Sequence, residues 1–506
     1  MKFNFLNRQK NITANYHNAK AYRMTPEMEL YTAVVTTNLS DTFYEGEDER
    51  LERIKKLMSE CNAEFIGQLA VYARTQMNLR SVSLVLSIEL AKMVSGNPVV
   101  GKTVSGVVKR ADEITEVLAY YQMANKRTGK KKLNRLSKQV QKGLVTAFNS
   151  FDEYQFAKYN RKTDIRLRDA LFLVHPQAKD DNQQELFNKI AADTLATPYT
   201  WETELSQLGK QKFSSAEEKV AAVKAKWEEL IESKKLGYMA MMRNLRNILG
   251  ANVSGQHIEM VCNYLSNETA VLHSKQLPFR FLSAYREIKT LNSGYISSIL
   301  DALEDAVIHS AKNIKGFDYE TSVVIACDVS GSMQKGISAK STVQLFDIGL
   351  MLGMLMQSRC KNVSSGMFGD SWKTISMPSR NVLGNVMEFH RREGEVGYST
   401  NGYKVIENLI WQGRAVDKVM LFTDVQLYNS SSLLGHSVEK SWKRYKAIAP
   451  NAKLYLFDLA GYGHTPLDIK RDDVYLIAGW SDKVFDILYS LDNSEDTLAV
   501  IKNIEL

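Results

Sequence analysis

Asp328, Ser330 and Ser332 stand at alternate positions directly after the strand-like run Ser322-Val323-Val324-Ile325-Ala326-Cys327. One carboxylate and two hydroxyls form a hard oxygen donor set suited to Mg²⁺ or Mn²⁺, and a sharp loop at the carboxyl end of a parallel strand can point all three at one cation. A polar turn that merely ends a strand is the alternative for so short a stretch. Two further stretches weigh against it. Lys418-Val419-Met420-Leu421-Phe422-Thr423 reads as a second strand, ending on Asp424, and Ser399-Thr400-Asn401-Gly402 is a polar loop that opens a helix. Together Asp328, Ser330, Ser332, Thr400 and Asp424 supply two carboxylates and several hydroxyls, a shell to be completed by water and an outside acidic ligand. Ser399 competes with Thr400 for the place in the second loop.

A second chemistry is cationic. Between Leu236 and Leu249, at about 100° per residue, Arg243, Arg246 and Asn247 share one helix face while Met241, Met242, Leu245, Ile248 and Leu249 share the other. Two arginines with an asparagine, and no acid on that face, suit phosphates and base edges better than an ordinary salt-bridged surface. Lys275 and Arg280 follow, with Arg286 and Lys289 just beyond, interleaved with Phe279, Phe281 and Tyr285. Aromatic rings can stack on unpaired bases, but these three read as core residues, because aromatics dominate burial. Between Val117 and Phe151 there is no acid, while Lys126, Arg127, Lys130, Lys131, Lys132, Arg135, Lys138 and Lys142 are all basic. Such a block is either a solvated face or a polyanion site. No nucleophile elbow, P-loop or HExxH helix is present, so the reading is noncatalytic.

These residues need elements to hold them. At 506 residues the chain exceeds the ~250–300 at which single cores stop growing, so two or three units are expected. Thr25-Pro26-Glu27 predicts a helix start, with a capping hydroxyl, a first-position proline and an acid at the positive helix end, and the helix runs through Val35. Amphipathic helical periodicity continues over 50–58, 65–77 and 82–94, and the same texture extends to about residue 313 with short breaks. Helices of this length pair and stack into a solenoid, although no repeat of fixed period is present. After Gly316 short β-branched runs at 319–327, 418–422, 453–457 and 474–477 alternate with helical stretches at 342–359 and 401–411, which predicts a parallel sheet covered on both faces. The boundary falls at 311–318, giving domains 1–315 and 316–506. The net charge of +8 is modest for this length, so its local clustering says more than its total. Cys61, Cys262, Cys327 and Cys360 form no CxxC pair, which points to reduced core thiols. With neither a signal-like start nor ~18 consecutive apolar residues, the expected setting is cytoplasmic, away from membranes.

The order Asp328-x-Ser330-x-Ser332, then Thr400, then Asp424 resembles the metal-ion-dependent adhesion site, or MIDAS, of von Willebrand factor A domains. That resemblance implies an α/β Rossmann-like fold, an Mg or Mn cofactor, and a site that binds a partner's carboxylate and catalyses nothing. Relatives commonly place an acid after the loop threonine, where this chain has Asn401. The segment Met241 to Asn247, the run Leu277-Pro278-Phe279-Arg280-Phe281 and the stretch Asp41 to Glu45 resemble the TROVE module of the Ro ribonucleoprotein family. That resemblance implies an all-α, monomeric ring of HEAT-like repeats whose ends are joined by the A domain. The ring would bind single-stranded ends of structured or misfolded noncoding RNAs in its hole and Y-like RNA on its basic outer surface. Arg168 and His175, in Arg168-Asp169-Ala170-Leu171-Phe172-Leu173-Val174-His175-Pro176, match a family helix with RNA-contacting basic and histidine side chains. In bacterial relatives Y RNA links the ring to an exoribonuclease, which makes such an enzyme an implied partner. A metal-dependent protein-adhesion module and a Mg²⁺-dependent nuclease are the competing readings.

Overall fold

A computed structural model describes residues 12–14, 20–36, 49–126, 135–310, 319–336, 341–358, 360–427, 435–461, 464–467, 473–479 and 497–506. Lys130, Lys131 and Lys132, the stretch 41–45 and the expected boundary at 311–318 lie outside them. The chain forms two compact units, each assembled from separate stretches. One comprises Met1–Asn38, Tyr238–Gly250 and Ser254–Val500, and the other Leu39–Gly237, Ala251–Val253 and Ile501–Leu506.

The first unit begins with the antiparallel strands β1 (Ile12–Ala14) and β2 (Lys20–Arg23), which depart from the all-α region that the family resemblance implies. Helix α1 follows at Pro26–Val35, started as expected by Pro26 and by Thr25, whose hydroxyl accepts the Met28 N–H at 3.2 Å.

The second unit is helical in its described residues. Helices α2 (Ala63–Thr75) and α3 (Ser81–Met93) pack together, and Phe65, Ile66, Leu69, Ala70 and Ala73 of α2 are all buried. Helix α4 (Ala111–Ala124) is fixed to them by Glu113, whose fully buried carboxylate takes Arg74 and Arg80 at 2.9 Å each. The same carboxylate accepts the backbone N–H groups of Lys109 (2.7 Å) and Arg110 (3.0 Å), so the buried charge is fully compensated. Helix α5 (Glu153–Tyr159) starts on an Asp152 cap. Helix α6 (Leu167–Val174) ends on His175, which is in the left-handed conformation with φ 50°. Pro176 accounts for the stop, since the residue before a proline is pushed out of the right-handed helical region.

In the first unit the continuous helix expected over 236–249 is interrupted at Asn244, leaving α7 (Tyr238–Arg243) and α8 (Leu245–Gly250). Asn244 is buried, and its side-chain amide donates back to the Ala240 carbonyl at 2.9 Å, a local bond that competes with regular helix. Helices α9 (Pro278–Lys289) and α10 (Ile296–Ser310) precede a six-stranded sheet. Its strands are β3 (Ser322–Asp328), β4 (Asn362–Phe368), β5 (Trp372–Thr374), β6 (Lys418–Thr423), β7 (Lys453–Asp458) and β9 (Val474–Ala478), while the two-residue β8 (His464–Thr465) pairs with β2 instead. The order is β5-β4-β3-β6-β7-β9, parallel except for β5. β3, β6, β7 and β9 match the expected runs; β4 and β5 were not anticipated.

Helices α11 (Leu345–Gln357), α12 (Val382–Arg391) and α13 (Tyr403–Trp411) connect strands of the sheet. The preceding helices pack on this layer: α9 touches α11 and α12, and α10 touches α12. Glu304 of α10 accepts the Leu383 and Gly384 N–H groups at 3.0 and 2.7 Å, capping the first turn of α12 from outside. Cys327 and Cys360 are buried, whereas Cys61 and Cys262 are half-buried. No helix among the described residues is long and apolar enough to cross a membrane.

Candidate nucleic-acid interface and metal centre

The strand order reverses beside β3: the chain runs outward to β4 on one side and later returns to β6 on the other. In open parallel sheets ligands collect outside the strand ends at such a reversal. Asp328 ends β3 and Asp424 follows β6, so the topology puts both carboxylates there. Both are fully buried. Asp328 accepts the Ser330 N–H at 2.8 Å and the Thr423 hydroxyl at 2.6 Å, and the Ser330 and Ser332 hydroxyl oxygens are 3.2 Å apart. Burial and the adjacent Asp424 carboxylate push the Asp328 carboxyl up to about 7, against those two hydrogen bonds. The second loop reaches the same sheet end, because Asn401 donates its N–H to the Gly369 carbonyl at 3.3 Å, one residue beyond β4. Within it Thr400 is buried, whereas Ser399 is exposed and gives its N–H to Asp370 at 3.1 Å, which favours Thr400 as the inward oxygen.

Val425, immediately after Asp424, has φ 62° although it is β-branched and buried. That conformation is strained for such a residue. Its N–H on Thr423 Oγ1 (3.2 Å) and the Gln426 N–H on Asp424 (3.0 Å) help hold the turn. Among the described residues no three His, Cys, Asp or Glu side chains gather as a metal site. The donor set here is different in kind. Two adjoining buried carboxylates with two close hydroxyls are a hard oxygen donor set of the kind that suits a divalent cation.

The cationic residues fall in both units. In the first, Arg243, Arg246 and Asn247 are exposed while Met241, Met242, Leu245, Ile248 and Leu249 are buried, so the two helix faces separate as the periodicity predicts. Arg280 of α9, set into the surface beside them, has its guanidinium pKa lowered by burial and by the Arg243 charge. Close like charges of this kind attract an anion. One expectation needs correction: an acid does reach this face, because Glu287 of α9 lies 3.8 Å from Arg246. Lys275 is exposed, in a left-handed turn with φ 51°. Phe279, Phe281 and Tyr285 are buried and pack in the core.

In the second unit α6 turns Leu167, Ala170, Leu171 and Val174 inward and exposes Arg168 and His175. Between them Phe172 is 53% exposed, with the Arg168 guanidinium 5.8 Å from its ring centre. Sequence reading passed over Phe172. Its signal was available in the spacing, since Arg168, Phe172 and His175 stand at i, i+4 and i+7.

Residues 11–226 and 193–300 match the family model described as the TROVE domain. The chain is 28% identical over 308 residues to telomerase protein component 1 of Mus musculus and to that of Rattus norvegicus; each match takes in 46% of this chain. It spans only 11% of the length of those relatives. It also superposes on the crystal structure of the Deinococcus radiodurans Ro (RSR) protein with a TM-score of 0.57, over 93% of this chain and 100% of that one. At 15% identity that likeness is one of fold, a helical region followed by an α/β sheet. The family match extends over most of the helical region and includes Arg168, His175, Arg243, Arg246, Asn247, Lys275 and Arg280, and on that ground the chain belongs to the TROVE domain family.

Proposed function

We propose that this protein is a noncatalytic RNA-binding scaffold that takes the single-stranded ends of structured or misfolded noncoding RNAs and holds Y-like RNA on a second basic surface. The observation that carries the reading is the outward placement of Arg243, Arg246, Asn247 and Arg280 on one helical surface over a buried apolar face. Such a surface binds phosphate without reading sequence, so its affinity is set by charge and salt. An unpaired strand lets bases as well as phosphates be reached, which a duplex denies. The ring shape, an exoribonuclease partner and a cytoplasmic setting belong to this same reading, which rests on family likeness.

The sheet is read as a von Willebrand factor A domain whose Asp328, Ser330, Ser332, Thr400 and Asp424 would hold Mg²⁺ or Mn²⁺. The cation would supply a positive centre for an incoming carboxylate. This chain's residues prepare the place: Thr423 and the Ser330 N–H fix the Asp328 carboxylate, and the strained turn at Val425 fixes Asp424. Protein adhesion through that site is the second reading, favoured by the buried carboxylate pair.

The test is binding of the full chain to a labelled RNA with a free single-stranded end, at moderate salt. Arg243→Glu with Arg246→Glu is expected to weaken it by more than about tenfold, since two phosphate contacts are lost and two repulsions gained. Unchanged binding would remove this surface from the reading.

A further inference from the structure

The second unit keeps most of its aromatic side chains inside. Phe148, Phe156 and Phe187 pack ring against ring, with centroids at 5.8 and 6.2 Å from Phe148. Phe172 is left out of that core although Leu167, Ala170, Leu171 and Val174 of the same helix are buried and Leu173 is half-buried. A single exposed phenylalanine would ordinarily need no explanation. This one stands between two polar side chains able to contact phosphate: Arg168 one turn before it, with the guanidinium 5.8 Å from the ring, and His175 one turn after, held outward by the left-handed end of the helix. The pairing recurs on α5, where Tyr154 is 45% exposed and the Lys158 ammonium is 5.6 Å from its ring.

A ring with a cation beside it suits an unpaired base attached to phosphate. A nucleobase offers a flat π face to the ring, and its phosphate offers a negative charge to the arginine. An apolar protein surface would satisfy the ring and leave Arg168 to be desolvated without a partner. We propose that Phe172 is a stacking platform for one unpaired nucleobase of single-stranded RNA, with Arg168 and His175 contacting the phosphates on either side of it. The proposal rests on the RNA-binding reading and adds a base-dependent contact to a site otherwise built from charge.

Fluorescence anisotropy on the full chain tests it with two probes, a labelled oligouridylate and an abasic ribose-phosphate strand of equal length, over a salt series. The native protein should prefer the base-bearing strand. Phe172→Ala should weaken oligouridylate binding by roughly 5- to 100-fold, the range expected for one base–aromatic stack, and leave abasic-strand binding and the salt dependence as they were. Phe172→Trp should keep the preference. Arg168→Ala should instead flatten the salt dependence and keep the preference for bases. Phe172 is exposed, so its replacement should not alter the thermal unfolding of the chain. If Phe172→Ala binds both strands like the native protein while Arg168→Ala weakens both, stacking is overturned and the RNA reading survives. If neither probe binds the native protein at low salt, the RNA reading fails and the stacking proposal fails with it.

Discussion

Arg286 grips Asp347 with both prongs of its guanidinium, Nη1 donating to Oδ2 at 2.8 Å and Nη2 to Oδ1 at 2.5 Å. The pair joins α9 to the first turn of α11, the helix that follows the Ser330–Ser332 loop. Asp347 is completely buried and also accepts the Gln344 N–H at 2.9 Å.

Removing one member of this pair strands the other. Arg286→Met should lower the stability of the full chain to urea by about 3–5 kcal/mol, because a buried carboxylate loses its counter-charge. The double variant Arg286→Met, Asp347→Leu should lose less than the single one. A double variant that is worse than Arg286→Met would show that the pair's value is not electrostatic.

The same carboxylate makes the contact sensitive to pH. His390 Nδ1 lies 3.2 Å from Asp347. Hydrogen bonding to Asp347, opposed by partial burial and the Arg286 charge and helped by Asp347 and Glu393, raises the His390 pKa. Its contribution to stability is therefore complete below the ordinary imidazole value near 6.5 and fades as pH rises through the raised folded value. Asp347 runs the opposite way. Burial would raise it, but His390 and Arg286 outweigh that and lower it, so its contribution is present above about 3.9 and lost as pH falls through the lowered folded value. Thermal melts from pH 5 to 9 should show a loss of stability above about 6.5 that His390→Gln abolishes.

Asp328→Asn separates the metal reading from the fold. Melting temperature in excess Mg²⁺ or Mn²⁺ should rise for the native protein and not for the variant, because a cation that binds only the folded state stabilises it. In chelator the variant should melt at or above the native temperature, since one of two facing buried carboxylates has been neutralised. A variant that still responds to the cation would remove Asp328 from the ligand set.

Glu287 sits 3.8 Å from Arg246 on the surface proposed for RNA, and both side chains are exposed. The ion pair competes with phosphate for the arginine. Glu287→Gln should tighten single-stranded RNA binding by roughly 1.5- to 5-fold, the worth of an exposed pair, with the gain shrinking at high salt. Weaker binding would mean that Glu287 orders Arg246 for the RNA.

The strand ends that carry Asp328 and Asp424 were legible because their signal is short and local. Asp328 and Asp424 each end or follow a strand, and the short continuous apolar, β-branched runs placed β3 and β6 within a few residues of where they lie. β4 escaped because Asn362-Val363-Ser364-Ser365-Gly366-Met367-Phe368 has one β-branched residue and a glycine, and is made a strand by its neighbour β3. The break at Asn244 was hidden for a related reason: helical periodicity passes through it unaltered, and only the back-bond to Ala240 reveals the competition. Glu287 could not be seen at all from the 236–249 stretch, since it arrives from another helix. Phe172 went unnoticed because a phenylalanine within the apolar run Ala170 to Val174 does not stand out by composition.

The two units are each closed by residues made at opposite times. The Tyr31 hydroxyl donates to the Ala478 carbonyl across 447 positions, and the Gln68 amide donates to the Lys502 carbonyl across 434. At a synthesis rate of about 5–20 residues per second the members of each pair leave the ribosome roughly 20–90 s apart. For that interval the buried side chains Leu30, Tyr31 and Val34 of α1 are made without β9, with which α1 packs, so the first of the described helices to be made is among the last to be completed. A protein built this way is exposed to capture or aggregation during its own translation, and depletion of ribosome-associated chaperones should lower its soluble yield more than it slows its refolding from denaturant.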